Sequence, residues 1–441
     1  MGQNTLRHTL LTLAPLAEQL HQHAITMLGD LHTGQQWMTP DHFPAAHIQF
    51  VNLFSCVTWK DLQLLPPAQT APLTPLESSE HPLRTLLLQK KNTIQEFNNE
   101  DEWELRKKYT NSYEYIFGMN DSPLPSILKQ TKTFTPLSRS YFKMIEMLQV
   151  SDFFNTVKQS TFSSAHVCEG PGGFIQALLS ESFKRQRKVS QALAMTLRPN
   201  KPFIPGWRRS ISYLREHPEI ILEYGADSTG DILSLENQRA FITKSAQKSM
   251  LFTADGGFDF SNDYSNQEIQ AFELIVASFR MGLLSLAKGG FMIIKVFDVF
   301  LESTKQLLLG SGLCFTSFTV YKPATSRPCN SERYFIGRGF LGAQHAAQWV
   351  SVLTSVARRL KQHTNPTLPI LFSSPFTQAL NTLFTSQLEA QAVQQVQAIQ
   401  NGLEFQESEK DIWVQAGLEK SRQWVATFLP SSSSAPSHLA T

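Results

Sequence analysis

The chain has few of the features that assign a protein quickly. Its four cysteines, Cys56, Cys168, Cys314 and Cys329, show no CxxC spacing. Neither a disulfide framework nor a zinc site is therefore expected, and a reducing, intracellular compartment is the default. No apolar run approaches the length of a membrane span. Neither sign of charge is in excess, since 39 lysines and arginines face 37 aspartates and glutamates for a net +2. Any nucleic-acid contact must then come from local patches rather than a global field. The opening residues, MGQNTLRHTLLTLAPL, are broken by Pro15 and carry no small-residue cleavage site, so no secretory signal is expected. Leu6 departs from the myristoylation pattern. At 441 residues the chain is long enough for two or three domains.

What is present is organised around HVCEGPGGF, His166 to Phe174. The apolar lead-in at 165–168 reads as a buried strand. It runs into Gly170, Pro171, Gly172 and Gly173, and then into IQALLSESF, which reads as a helix. Strand, glycine turn and helix is how a doubly wound sheet brings backbone amides close to a ligand. Glycine allows that approach and the positive φ such a turn can require. The turn matches neither G-x-G-x-x-G nor G-x-x-x-x-G-K-[ST], so neither a dinucleotide nor an NTP is indicated. Taken alone it is equally a plain strand-to-helix turn.

Residues 1–104 read as a helical region interrupted by a proline-rich linker at 64–83, where Pro66, Pro67, Pro72, Pro75 and Pro82 exclude regular structure. Lys90, Lys91, Arg106, Lys107 and Lys108 in the stretch after it read as a solvated helix face before an RNA contact. LSRSYFKMIEMLQV, 137–150, reads as a helix with Lys143 set among apolar residues. From 165 to 340 strand and helix alternate. The expected strands are HVCEG, QALAMTL (191–197), EIILEYG (219–225), MLFTADG (250–256), GFMIIKVF (290–297), CFTSFTVY (314–321) and RYFIGRGF (333–340). The long helix in NQEIQAFELIVASFRMGLLSLAKG is expected to stop at the glycine pair Gly289–Gly290.

The last two strands are joined by a short loop without a helix and are expected to pair antiparallel. Seven strands ending in such a hairpin form the Rossmann-like α/β layout of a class I methyltransferase, here spanning 105–342. The remainder, 343–441, reads as helical with a disordered tail from about 430. In it Leu380, Leu383, Phe384, Leu388, Val393, Val396 and Ile399 recur near a 3.6 period as a packing face.

Four charged residues stand at strand ends or in apolar segments. Asp255 ends MLFTADG, Lys295 interrupts GFMIIKVF, Glu332 opens the last strand, and Lys143 is the fourth. A charge in such a place needs a partner or a function. Ligands of an open α/β sheet bind beyond the carboxyl ends of its parallel strands, where Asp255 and Lys295 fall and which Glu332 can reach. For Lys295 and Asp255 alone, a structural ion pair is an equally good reading. Two lysines interleaved with two carboxylates suit methyl transfer to a hydroxyl. A ribose 2′-OH is a poor nucleophile and must lose its proton as it attacks. Burial, a second lysine and a sulfonium would each lower a lysine's pKa toward a useful value, while the carboxylates limit that shift. In-line placement of the reacting atoms supplies the rest.

CEGPGGF, TADGGFDFS, GGFMIIKVFD and KPATSRPCNSERYFIG, in that order, resemble the motifs of FtsJ-like RNA ribose 2′-O-methyltransferases, and among these the mRNA cap enzymes most. EYGADSTGDI resembles the Adrift-type branch, which methylates the second transcribed nucleotide. The resemblance covers about 130–340. It implies a Lys-Asp-Lys-Glu tetrad, carried by Asp255, Lys295 and Glu332 through the quoted motifs and by Lys143 through SRSYFKM, with Lys132 and Lys158 as alternatives for the last. It implies that Lys295 is the general base.

For the implied cofactor, S-adenosylmethionine, Gly170, Gly172 and Gly173 would line the methionine and ribose portion. Asp231 resembles the acidic residue at the adenine amino group, with Asp227 competing, and Asp255 also borders the cofactor. The implied partner is RNA, the capped 5′ end of mRNA, modified at the first or second nucleotide; no metal is implied. Lys322, Ser326 and Arg327 flank the tetrad and are the expected RNA contacts. KRQRK (184–188), Arg208, Arg209 and Trp207 read better as plain surface. The competing functions are methylation of ribosomal or transfer RNA and a catalytically silent RNA-binding module.

Overall fold

The computed structural model describes residues 82–95, 100–118, 124–131, 134–199, 204, 206–245, 247–257, 266–362 and 375–430, with backbone alone for 95, 100 and 375–387. The helices expected before residue 62, most of the proline-rich linker, Lys132, the side chains of Leu380, Leu383 and Phe384, and the tail from 431 lie outside that description.

All seven expected strands form and join one sheet. They are β1 (Thr161–Val167), β2 (Lys188–Met195), β3 (Ile220–Glu223), β4 (Ser249–Ala254), β5 (Leu286–Val296), β6 (Phe315–Tyr321) and β7 (Arg333–Phe340). Their order is β3-β2-β1-β4-β5-β7-β6. The first five run parallel, while β7 lies antiparallel between β5 and β6. The expected hairpin is therefore present, with its second strand inserted next to β5.

The described helices are α1 (Pro82–Gln95), α2 (Glu100–Tyr109), α3 (Ser140–Val150), α4 (Phe153–Thr156), α5 (Gly173–Lys184), α6 (Ile211–Glu216), α7 (Leu235–Lys244), α8 (Gln267–Ser285), α9 (Glu302–Gly312), α10 (Ala343–Gln362), α11 (Pro375–Glu404) and α12 (Lys410–Phe428). Pro82 opens α1 at the first helical position, where its fixed φ suits the helix and its missing N–H costs nothing.

Six of the seven residues of β1 are buried, the continuous pattern of a parallel strand covered on both faces. Successive side chains point to opposite faces. Ala165, Val167, Phe252, Met292 and Ile294 pack with α7 to α10 on one side. Phe162, Ala192, Leu251, Phe291 and Ile293 pack with α3, α5 and the end of α12 on the other. Burying each large apolar side chain is worth about 2 kcal/mol. Exposed ion pairs contribute less than about 1 kcal/mol, so these two layers dominate the fold.

The structure differs from expectation at the end of α8. The helix stops at Ser285 rather than at the glycine pair, because Leu286 already pairs with Ser249 in the sheet. The next pairing, Leu251 with Phe291, skips several residues of β5, and Gly289 takes φ 84° within that bulge. Outside the sheet, Leu83 and Leu87 of α1 pack on Val393, Val396 and Ile399 of α11, so this part of the expected stripe is a packing face.

Candidate active site

Each of the four charged residues reaches one place from a different element. Lys143 lies in the first turn of α3, Asp255 directly follows β4, Lys295 is one residue from the end of β5, and Glu332 directly precedes β7. The antiparallel register sets Lys295 opposite Tyr334, which brings Glu332 to the end of β5. Lys143 Nζ is 2.6 Å from Glu332 Oε1, and Glu332 Oε2 is 3.7 Å from Lys295 Nζ. Lys295 Nζ in turn lies 3.1 Å from Asp255 Oδ1 and donates to the Asp255 backbone carbonyl at 3.0 Å. The result is a line of alternating charge, Lys143–Glu332–Lys295–Asp255. Its side chains are 13–15% exposed, recessed yet open to a substrate. Of the alternatives to Lys143, Lys158 is exposed and precedes β1, at the far end of that strand.

The electrostatics differ from expectation at Lys295. Burial depresses its pKa, but the carboxylates of Asp255 and Glu332 more than offset this and leave it above its ordinary value. Burial pushes the Glu332 carboxyl up, but Lys143, Lys295 and Lys322 outweigh it and hold the group well below the usual range. The Tyr334 hydroxyl donates to Asp255 Oδ1 at 2.8 Å, and burial beside that carboxylate keeps the phenol protonated. Tyr334 belongs to the NSERY motif but was not among the expected site residues.

The three residues expected to meet RNA also make bonds within the chain. Lys322 Nζ donates to Ser326 Oγ (3.1 Å) and to the carbonyls of Asn330 and Glu332 (2.7 Å each), which braces the loop carrying Glu332. Burial pulls its pKa down to about 7, with Glu332 opposing. Ser326 is buried. Arg327 makes two 3.0 Å hydrogen bonds to Glu114, which Arg139 also pairs at 2.9 Å. Sequence alone does not tell a basic loop side chain that faces RNA from one that closes on a distant carboxylate. Trp207 is buried beside Gly172, and KRQRK joins α5 to the start of β2, at the edge of the sheet opposite the tetrad.

Glu146, also absent from the expected set, follows Lys143 by one turn of α3. It is fully buried and accepts from Tyr321 Oη, Ala324 N (2.7 Å) and Trp424 Nε1 (3.0 Å). It thereby ties the Lys143 helix to the KPATSR loop and to α12. An acid in an otherwise apolar helix is the same signal that singled out Lys143.

The glycine turn follows β1 directly. Cys168 has φ 58° and Gly172 φ 102°, so the backbone leaves the strand through two left-handed residues. A Cβ on Gly170 would lie 2.4 Å from the Gly206 carbonyl oxygen, and one on Gly173 would lie 2.2 Å from Ser140 Oγ. Gly170 therefore lets the turn close on the loop between β2 and α6, and Gly173 lets it close on the start of α3. Asp231 Oδ1 accepts from Leu233 N at 2.9 Å, whereas Asp227 Oδ1 is committed to Thr229 and Asn237. Burial pushes the Cys168 thiol up to about 12, and the charges acting on it are those of Glu169, Asp231, Lys295 and Asp255. The residue after Asp255 packs on the turn, since a Cβ on Gly256 would lie 3.0 Å from Cys168 Cβ. Glu169 Oε2 is buried without a hydrogen-bond partner among the described residues. A glycine turn with the carboxylates of Asp231 and Asp255 fits S-adenosylmethionine, which carries an ammonium, a sulfonium, an adenine amino group and ribose hydroxyls.

Residues 136–340 match the FtsJ-like methyltransferase family. A cap-specific mRNA (nucleoside-2′-O-)-methyltransferase 1 of Trypanosoma brucei brucei is 32% identical over 197 residues, covering 44% of this chain and 51% of that protein. The protein of that name from Xenopus laevis is 32% identical over 276 residues, covering 58% and 30%. That from Homo sapiens is 35% identical over 181 residues, covering 40% and 21%. The chain thus spans about half or less of the length of these curated relatives.

Proposed function

We propose, from the premise that residues 136–340 are an FtsJ-like methyltransferase domain, that this chain methylates an RNA ribose 2′-hydroxyl. The proposed substrate is the capped 5′ end of mRNA, at its first or second transcribed nucleotide. The line Lys143–Glu332–Lys295–Asp255 beside the glycine turn carries this reading. The relatives' names, which specify capped mRNA, support the substrate.

Gly170, Gly172 and Gly173 would hold the cofactor, with Asp231 and Asp255 as its acceptors. When bound, S-adenosylmethionine supplies a methyl group on a positively charged sulfur. The chain's own residues handle the proton. Lys295 Nζ takes it from the ribose hydroxyl as the amine. Asp255, itself oriented by Tyr334, fixes the direction of that amine. Lys143 holds Glu332 in place and ionised. Because the carboxylates keep Lys295 above its ordinary pKa, its basic fraction is small at neutral pH and grows as pH rises.

The test uses purified protein, radiolabelled S-adenosylmethionine and matched capped and uncapped RNAs, with nuclease digestion to locate the label. Label confined to the first or second nucleotide of the capped RNA supports the reading. Equal labelling of both RNAs, or label only on ribosomal or transfer RNA, removes the cap from it. No label despite cofactor binding leaves a silent RNA-binding module.

A further inference from the structure

The segments that carry Lys295 and Glu332 are joined by a buried polar cluster that takes no part in the chemistry above. Asp298 lies three residues beyond Lys295, and Ser331 directly precedes Glu332. Ser331 Oγ donates to Asp298 Oδ2 at 2.9 Å. Lys91 Nζ, from α1, is 2.6 Å from the same Asp298 oxygen and 2.8 Å from Ser331 Oγ. Arg333 reaches Asp298 Oδ1 at 3.2 Å, and Gln395 of α11 donates to Ser331 Oγ at 3.2 Å. None of the five residues is more than 6% exposed.

Burying an ammonium is costly, and an apolar residue of similar volume often serves stability as well or better. Lys91 does what an apolar side chain there would not. Its single ammonium contacts both the strand end after Lys295 and the loop before Glu332, and so fixes one relative to the other. Without Lys91, Asp298 keeps Arg333 and Ser331, and Ser331 keeps Gln395, so the sheet keeps its register while the direct tie from α1 to both segments is lost.

We propose that Lys91 is a positioning residue, and that through Asp298 and Ser331 it sets Glu332 against Lys295, making α1 part of the catalytic unit. This inference rests on the reading of Lys295 and Glu332 as the catalytic pair. Displacements on the order of 1 Å from sites remote from the chemistry can lower rates about 100-fold.

The test compares wild type, Lys91→Met and Ser331→Ala in the full chain, with two readouts. The first is the titration of Lys295 Nζ by ¹⁵N NMR without RNA, which requires no activity. Moving Glu332 away weakens its hold on the ammonium, so both variants are expected to titrate at lower pH than wild type. The second is kinetic: kcat is expected to fall about 10- to 100-fold, with cofactor Kd and RNA KM within about twofold of wild type. If Lys91→Met does not fold, Ser331→Ala carries the test, since it keeps the Lys91–Asp298 pair. An unchanged Lys295 titration in a folded variant overturns the inference, as does an unchanged kcat with only a lower melting temperature. A wild-type protein that methylates no RNA overturns the functional reading instead, while the NMR comparison still decides whether Lys91 positions Glu332.

Discussion

Lys143 and Glu332, the first and last of the four tetrad residues in the chain, meet at 2.6 Å, and this contact aims the second Glu332 oxygen at Lys295. A carboxylate between two ammonium groups does two things at once. It lets two cations share a recessed site, and it makes the proton affinity of Lys295 depend on where Glu332 sits.

Glu332→Gln removes that negative charge and leaves the two lysines facing each other. The Lys295 pKa, now raised by Asp255 and Glu332 together, is expected to fall. The rate of methyl transfer rises with pH as Lys295 deprotonates, so the midpoint of that rise should move to lower pH in the variant. With Lys295 poorly aligned, the plateau should drop on the order of 10²-fold. A pH–rate curve from pH 6 to 10 for both proteins checks the two effects. An unmoved midpoint would dissociate Glu332 from the ionisation of Lys295.

At Gly170, an added Cβ would meet the backbone carbonyl of Gly206 at 2.4 Å, and backbone cannot rotate away as a side chain can. Gly170→Ala should cost about 1–3 kcal/mol of stability and weaken cofactor binding about tenfold or more by displacing the turn. Gly289→Ala is the control: it strains a φ of 84° but meets nothing within 4 Å. Calorimetry with S-adenosylhomocysteine should find the loss of binding in the first variant and not in the second.

Glu146→Ala leaves Tyr321, Trp424 and the Ala324 N–H without their shared buried acceptor. Each stranded donor costs about 1–3 kcal/mol, so an overall loss of at least about 3 kcal/mol is expected. Urea unfolding measures it. A loss below about 1 kcal/mol would mean that α12 is not tied to the Lys143 helix through this residue.

Glu268 of α8 accepts from the N–H groups of Phe300 (3.2 Å) and Leu301 (2.9 Å), and burial pushes its pKa from 4.5 up to about 7. Between those values the folded state binds more protons than the unfolded one. The group's contribution is therefore complete below about pH 4.5 and is lost as pH rises through about 7, a change of up to about 3 kcal/mol. Glu268→Gln cannot titrate, so the gap between wild type and variant should narrow or reverse from pH 4.5 to 8. Parallel stability–pH curves would place the ionisation of Glu268 elsewhere.

Much of this was legible before the structure because the central parallel strands are apolar on both faces. A lysine inside GFMIIKVF or an aspartate ending MLFTADG then stands out against the pattern. The seven strands and the meeting of all four tetrad residues follow from that contrast together with the topology. What stayed hidden depends on distant pairing. Lys91, beside Lys90, reads as a solvated helix face, yet its ammonium is buried against Asp298, 207 residues away. Lys322, Ser326 and Arg327 read as RNA contacts beside the tetrad, and their bonds to Glu332, to one another and to Glu114 were not legible. The end of α8 was misplaced because a glycine pair that suits a helix stop serves equally as a bulge within β5.

The most direct test of the proposed chemistry compares two capped RNAs that differ only in carrying 2′-OH or 2′-H at the first two transcribed nucleotides. Each is assayed with wild type and with Lys295→Ala. Label on the hydroxyl RNA with wild type, none on the deoxy RNA, and a fall on the order of 10²- to 10⁴-fold for Lys295→Ala with cofactor binding retained is the expected result. Equal labelling of the deoxy RNA, or full activity in Lys295→Ala, would contradict ribose 2′-hydroxyl methylation with Lys295 as its base.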